Sequence, residues 1–472
     1  MLSANQNICA IATGQGGAIG IIRLSGPEVI EIADSVFHAI GTPKSLCQSH
    51  SYLMRYGQIK DEEGNLIDEV LAAVFRAPHS YTGENAVELS CHASPFILQE
   101  IMQLLMRRGC RMAEPGEFSQ RAFLNGKMDL AQAEAVADVI ASTTRAAHHA
   151  AMSQLKGAFS RQLGQLREQL LRLTSLLELE IDFSDHEELE FANRDQLILL
   201  TEEIERVIRK LVESFRTGNA VRRGIPVAIV GETNTGKSTL LNQLVGDERA
   251  IVSNIHGTTR DVIEDVVTLN GVAFRFIDTA GIRKTEDVIE TIGIERSFEK
   301  LKQADIVLLM IDAVNADVQY QHIAPQILPL CEDKQLIIVY NKCDLLQTHQ
   351  LPVHCAEEGP SSSRSNSVIE ISLSAKSGEG IEQLKQLIVE AAHLPALNSS
   401  DVIVTNVRHH EALTSALAAI IRVHDGLSQQ LTSDLLALDL RECLHHLSEI
   451  LGSEITTDTV LSNIFSKFCI GK

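Results

Sequence analysis

Gly231-Glu232-Thr233-Asn234-Thr235-Gly236-Lys237-Ser238 is the stretch that decides the fold. Two glycines frame four residues, and a lysine and a hydroxyl follow the second. That spacing lets backbone N–H groups turn toward phosphate oxygens, with Lys237 reaching the β and γ phosphates and Ser238 placed for magnesium. The apolar run Ile225 to Val230 before it reads as a buried strand, and a helical segment follows it. Gly231, Asn234, Thr235, Gly236, Lys237, Ser238 and Thr239 are therefore candidate nucleotide contacts, with Lys237 also a catalytic candidate.

Four further segments follow in the order a guanine-nucleotide hydrolase needs. Ser253, Asn254, Ile255, His256, Gly257, Thr258 and Thr259 form a polar loop in which Thr259 can complete the magnesium shell. Asp278-Thr279-Ala280-Gly281 ends a strand; Asp278 suits an outer-sphere magnesium contact and Gly281 a backbone contact to the γ-phosphate. In Asn341-Lys342-Cys343-Asp344, the Asp344 carboxylate can accept both guanine N–H donors, where adenine offers only a C–H. Ser374-Ala375-Lys376 lies at the next strand end, where the Ala375 N–H can meet the guanine carbonyl oxygen. GTP is expected over ATP.

Ile282 follows Gly281, at the position where Ras-like GTPases carry a water-orienting glutamine, and it cannot polarise water. Glu290, downstream in the same segment, is the candidate replacement. No arginine finger is identifiable. Asn234 offers another source of positive charge: its side-chain oxygen could hold potassium against the phosphates, with Ser253, the Ile255 carbonyl and Thr258 completing the cage. On its own, an asparagine in such a loop more often makes a local hydrogen bond.

Outward from this region the periodicity changes. Val262 to Leu269 and Val272 to Ile277 flank Asn270-Gly271, a strong hairpin signal, and Ile306 to Ile311, Leu336 to Tyr340 and Val368 to Ile371 read as buried strands separated by helices. Upstream, Leu155, Phe159, Leu163, Leu166, Leu170, Leu173, Leu177 and Ile181 predict one helix face. Leu197, Leu200, Ile204, Ile208, Leu211 and Phe215 predict a second helix that Gly218 would end. Downstream, Leu413, Leu417, Ile420, Leu427 and Leu431 are followed by Leu436, Leu440, Leu444, Leu447 and Leu451. The simplest expectation is that the late helices pack on the early pair, with the α/β domain inserted between them; a separate C-terminal bundle is the alternative. From Met1 to Gly126, strands such as Ala18 to Leu24 and Val70 to Phe75 mix with a helix at Pro95 to Arg108, an α+β pattern. The expected segments are therefore 1–126, 127–222, 223–394 and 395–472.

The chain has 472 residues, with 41 Lys+Arg against 62 Asp+Glu and a net charge of −21. That balance argues against a broad basic nucleic-acid face, so a partner would supply most of the charge for any RNA substrate. Nine scattered cysteines with no Cys-x-x-Cys pair suggest reduced thiols in a cytosol. The N-terminus does not read as a signal peptide, and no apolar run approaches the ~18 residues that would span a bilayer, so a soluble, cytoplasmic protein is expected. Adjacent histidines at His148-His149, His409-His410 and His445-His446 make poor metal clamps and are expected to be solvated or capping.

Over essentially its full length the sequence resembles the tRNA-modification GTPases of the MnmE (TrmE) type. The resemblance is carried by Gly17-Ala18-Ile19-Gly20-Ile21-Ile22-Arg23-Leu24-Ser25-Gly26, Tyr81-Thr82-Gly83-Glu84, Glu114-Pro115-Gly116-Glu117-Phe118, Arg121 to Lys127, Asp129 to Ala135 and the terminal Phe468-Cys469-Ile470-Gly471-Lys472. It implies a multidomain α/β plus α chain: a Ras-like P-loop GTPase domain inserted in a discontinuous helical domain, with an N-terminal α+β domain that dimerises and binds folate. It also implies a tetrahydrofolate one-carbon derivative at Arg23, Glu84, Lys127 and Lys472, magnesium, and potassium-dependent hydrolysis with Glu290 positioning water. The partner it implies is an FAD protein, MnmG (GidA), in a heterotetramer that modifies carbon 5 of the tRNA wobble uridine. Cys469 is a possible reactive thiol. Two other functions are weighed against this: a ribosome-assembly GTPase of the Era or Der kind, and a non-enzymatic scaffold locked by GTP.

Overall fold

The computed structural model describes residues 6–14, 16–41, 45–182, 194–246, 265–277, 301–331, 333–346, 368–393, 402–452, 464, 465, 468 and 471. They fall into two compact units. One holds Met1–Ala137, Gln154–Arg206 and Ala412–Lys472, the other Asp138–Ser153 and Val207–Glu411.

The first unit opens with β1 (Ile8–Ile11), β2 (Ile19–Ser25), α1 (Val29–Val36), β3 (Phe37–Ala39), β4 (Leu53–Lys60), β5 (Leu66–Phe75), β6 (Ala86–His92), α2 (Pro95–Arg107), β7 (Arg111–Met112) and α3 (Glu117–Leu124). The sheet order is β3-β4-β5-β6-β2-β1-β7, antiparallel except where β1 runs beside β7. Val70, Ala72 and Val74 alternate inward along β5 and join Ile30 of α1 and Ile101 and Leu105 of α2 in one core. The α+β expectation holds here: α1 and α2 pack into this core, while Phe118 of α3 packs with Ile8 and Ala10 of β1 in a separate cluster.

The helices that follow are α4 (Leu130–Ala141), α5 (Arg145–Leu155), α6 (Ala158–Asp182) and α7 (Arg194–Arg223). Periodicity predicts one continuous face from Leu155; the structure breaks it at Gly157, so Leu155 closes α5 and α6 begins afresh. Gly218 does not end α7. The helix runs on to Arg223 and stops at Gly224, which has φ +80. At Gly218 the segment around Val404 crosses so closely that a Cβ would sit 2.0 Å from the Val404 carbonyl oxygen. Glycine is needed there for approach, at a cost of about 1 kcal/mol in helix propensity relative to alanine.

The α/β region comprises β8 (Ile225–Val230), α8 (Lys237–Gly246), β9 (Asp265–Leu269), β10 (Val272–Phe276), β11 (Ile306–Asp312), α9 (Ala316–Ile327), β12 (Gln335–Asn341), β13 (Ile369–Ser372) and α10 (Ile381–Ala391). Its sheet order is β13-β12-β11-β8-β10-β9, parallel throughout except for the β9–β10 hairpin. Asn270 and Gly271 close that hairpin with φ +50 and +81, the two positive values a type I′ turn demands. The central strands are buried on both faces: Val307, Leu309 and Ile311 of β11 face one core, Ile306, Leu308 and Met310 the other.

Two later helices among the described residues are α11 (Val407–Ser428) and α12 (Ser433–Leu451), and α12 packs against α6. Leu163, Leu166, Leu170, Leu173 and Leu177 of α6 are buried, as are Leu436, Leu440, Cys443, Leu447 and Ile450 of α12. Arg441 Nη2 meets Glu178 Oε1 between the two helices at 2.9 Å. The predicted α12 stripe is off by one residue in its second half: Leu444 and Leu451 are only half-buried, and Cys443 and Ile450 take the core positions. Leu431 is exposed, because α11 stops at Ser428 and Gln430 turns the chain at φ +55.

Cys9, Cys47, Cys91, Cys110, Cys331, Cys343 and Cys443 are free thiols, and burial pushes Cys443 up to about 12. His409 departs from expectation: it is 1% exposed, and His410 stacks on Phe215 with ring centroids 4.2 Å apart, so this pair is packed and not solvated. Among the described residues, no three His, Cys, Asp or Glu side chains are grouped to hold a metal, and no helix is long and apolar enough to cross a membrane.

Candidate functional site

The Gly231–Ser238 loop leaves the carboxyl end of β8 and enters α8 at Lys237. Asn341 closes β12, Asp312 closes β11 directly beside it, and Ser374 lies just beyond β13. All the described nucleotide candidates thus sit at the carboxyl ends of parallel strands, where open α/β sheets leave a crevice.

Within the loop, Thr235 is fully buried and its Oγ1 donates to the Glu232 carbonyl at 2.9 Å. Lys237 Nζ donates to the carbonyls of Gly231 at 2.7 Å and Glu232 at 2.5 Å, which folds its side chain over the loop. Burial lowers the Lys237 pKa, and the nearby Glu232 charge opposes that shift. Gly236 adopts φ +96, and a Cβ there would lie 2.3 Å from Asn341 Nδ2. Asn234 adopts φ +63 and is exposed, with its side chain open to a ligand. Ser238 is half-buried and Thr239 exposed on the first turn of α8.

The base-binding candidates divide by role. Asn341 is 3% exposed; its Nδ2 donates to the Thr235 carbonyl at 2.7 Å and its Oδ1 accepts the Ala375 N–H at 2.9 Å. It joins two loops instead of presenting itself to a ligand. The Ala375 N–H, expected to face guanine, is taken by this bond, and Ala375 is itself 1% exposed. Lys342 adopts φ +69 and its Nζ reaches Asp312 Oδ2 at 2.6 Å. Asp344 is exposed in the short turn Cys343–Leu345, and Lys376 is exposed after Ala375. Asp312 escaped sequence reasoning because it closes an apolar strand with no motif around it. Its one sequence signal is a lone carboxylate after Ile306 to Ile311.

A second cluster lies in the other unit. Arg23 on β2 pairs with Glu88 of β6 at 2.7 Å, donates from Nη1 to the Gly471 carbonyl at 3.3 Å, and lies over the rings of Tyr81 and Phe118. Glu84 Oε2 accepts from Ser25 Oγ at 2.8 Å and from Arg121 Nη1 at 2.9 Å. Lys127 Nζ donates to the Pro78 carbonyl at 3.0 Å, its chain passing Gly83. Arg23, Glu84 and Lys127 therefore converge on the loop from Pro78 to Glu84, next to the C-terminal tail. Arg121 is an addition. Its partner Glu84 lies far away in sequence, and only the family resemblance carried by Arg121 to Lys127 marks the segment. Ser253, Asn254, Ile255, His256, Gly257, Thr258, Thr259, Asp278, Thr279, Ala280, Gly281, Glu290, Cys469 and Lys472 lie outside the described residues.

The family model for the MnmE helical domain matches residues 130–469, and that for the GTP-binding protein TrmE N-terminus matches residues 7–127. The tRNA modification GTPase MnmE of Bacteroides thetaiotaomicron is 55% identical over 469 residues, covering 98% of this chain and 99% of its own. The chain belongs to the MnmE (TrmE) family of tRNA-modification GTPases. Its relatives there include MnmE of Bacteroides fragilis, 56% identical over 468 residues, and MnmE of Porphyromonas gingivalis, 46% identical over 468 residues, each spanning 98% of this chain. Among solved structures, Era of Aquifex aeolicus bound to GDP.AlF4- is 27% identical over 42% of this chain at a TM-score of 0.25, too low to bear on fold or activity.

Proposed function

We propose that this member of the family is a potassium-activated GTPase of the cytoplasm. With an FAD-containing MnmG (GidA) partner, it would add an aminomethyl or carboxymethylaminomethyl group to carbon 5 of the tRNA wobble uridine. The observation that carries the nucleotide half of the reading is the Asn341 clip, which holds the phosphate loop and the Ser374-Ala375-Lys376 loop to one side chain, with Asp344 exposed beside it. Lys237 and Ser238 would hold the β and γ phosphates and magnesium, with Thr259 as the second magnesium ligand; Asp278, Thr279, Ala280 and Gly281 would follow the γ-phosphate. Potassium would lie against Asn234, caged by Ser253, Ile255 and Thr258 within the loop that includes Asn254, His256 and Gly257. It would supply charge at the leaving group, and Glu290 would position water. The exposed Asn234 side chain at positive φ fits a cation ligand better than an internal loop bond.

The other half concerns the first unit. Arg23, Glu84, Lys127 and Lys472 would hold a tetrahydrofolate one-carbon derivative, the carboxylate pairing with pterin donors and the cations with the glutamate tail. The donor set around Pro78 to Glu84 suits such a molecule in its mix of the Glu84 carboxylate, the Arg23 and Lys127 cations and the Tyr81 ring. The organisation proposed is 1–126 as the dimerising folate domain and 223–394 as the GTPase domain, inserted between helical segments 127–222 and 395–472. The packing of α12 on α6 supports the insertion.

The deciding experiment measures GTP hydrolysis in potassium and in sodium, together with mass spectrometry of tRNA nucleosides from cells lacking the chain. Potassium-dependent turnover and loss of the wobble modification are expected. Intact modification with copurifying ribosomal subunits would favour ribosome assembly; negligible turnover in either salt would favour a scaffold.

A further inference from the structure

The second position of the phosphate loop is Glu232, a carboxylate placed where a polyphosphate would bind. A like charge there opposes the ligand and competes with it for Lys237. The structure ties that carboxylate elsewhere. His322 Nδ1 lies 3.0 Å from Glu232 Oε1, so the ring N–H donates to the carboxylate, with side chains 71% and 35% exposed. Meanwhile the Glu232 backbone stays in the loop, its carbonyl accepting from Thr235 Oγ1 at 2.9 Å and Lys237 Nζ at 2.5 Å. The carboxylate is still close enough for its charge to favour the Lys237 ammonium against burial.

His322 sits on α9, and Gln319, three residues earlier on the same face, accepts the Asp312 N–H through Oε1 at 2.8 Å. Asp312 in turn holds Lys342. One helix face therefore anchors both the phosphate loop and the base-binding loop. An exposed ion pair of this kind adds little to stability, so its consequence is read in ligand affinity.

We propose that His322 is a positioning residue for the phosphate loop, holding the Glu232 carboxylate off Lys237 so that the ammonium remains available to the β and γ phosphates of a guanine nucleotide. This rests on the GTP-binding reading above. Without the tether the carboxylate is free to swing onto Lys237, and the nucleotide has to displace it.

The test titrates the full chain with a fluorescent GDP analogue in magnesium buffer. H322A should raise Kd roughly two- to fivefold, the size expected of one exposed charge coupling. H322Q, which keeps a donor, should bind as the unmutated chain does. In an E232A background H322A should change nothing, because the carboxylate it restrains is gone; a merely structural role for His322 would persist there. Unchanged affinity in H322A, or the same loss in both backgrounds, overturns the proposal. A chain that binds the analogue in no form overturns the GTP reading, and this proposal with it.

Discussion

Asn341 Nδ2 donates to the Thr235 carbonyl at 2.7 Å, in a site where both residues are buried. The same side chain accepts the Ala375 N–H, so one amide fixes the spacing between the Gly231–Ser238 loop and the Ser374-Ala375-Lys376 loop. Asn341→Ala strands a buried carbonyl and a buried N–H, each worth about 1–3 kcal/mol. Guanine-nucleotide affinity should fall at least tenfold in a titration, and melting of the α/β region should shift down. An unchanged affinity would mean that the two loops hold their spacing without the clip.

Gly236→Ala forces a side chain into a left-handed position and against Asn341 Nδ2. Nucleotide binding should be lost while the first unit keeps its secondary structure, which circular dichroism and a folate titration can separate from global unfolding.

Asp344→Asn exchanges an exposed acceptor for a mixed donor and acceptor. Competition between GTP and XTP should invert, since xanthine presents a carbonyl where guanine presents an amine. Retained preference for GTP would remove Asp344 from base recognition.

Asn234→Ala should keep GDP affinity and lose the difference in turnover between potassium and sodium. The measurement is steady-state hydrolysis in the two salts, and a persisting difference would place the cation elsewhere.

Glu117 links charge to stability. Burial raises its pKa, but Arg111, the Glu114 N–H and Arg121 outweigh burial and leave it below the ordinary carboxylate value. A depressed folded pKa contributes stability that is present above the unfolded pKa and lost as pH falls through the folded one. Glu117→Gln should therefore destabilise the first unit by about 3–5 kcal/mol at neutral pH, the scale for breaking a buried pair. The gap between the two proteins should narrow in urea unfolding as pH is lowered; a constant gap would show that the charge is not the cause.

The phosphate loop was legible because its chemistry is local: eight consecutive residues between a strand and a helix. The Asn270-Gly271 hairpin was legible for the same reason. What stayed hidden depended on distant partners. Arg121 meets Glu84 only because the sheet brings Ser25 and Thr82 together, and Asp312 matters only because β11 and β12 lie in register. Gly218 reads as a helix end because a glycine near a helix terminus usually caps it, whereas here a passing backbone demands it. The α12 stripe slipped because a repeat of threes and fours fits two adjacent faces almost equally well. Cysteine at 443 was not counted as a core hydrophobe.

The near-collision of Gly218 with the Val404 carbonyl means that two points on either side of the Gly231–Ser238 loop, far apart along the chain, pass each other at backbone contact. Such a junction tolerates drift in the length of the surface loops between its two strands of chain, yet one added methyl group at position 218 would prise it open.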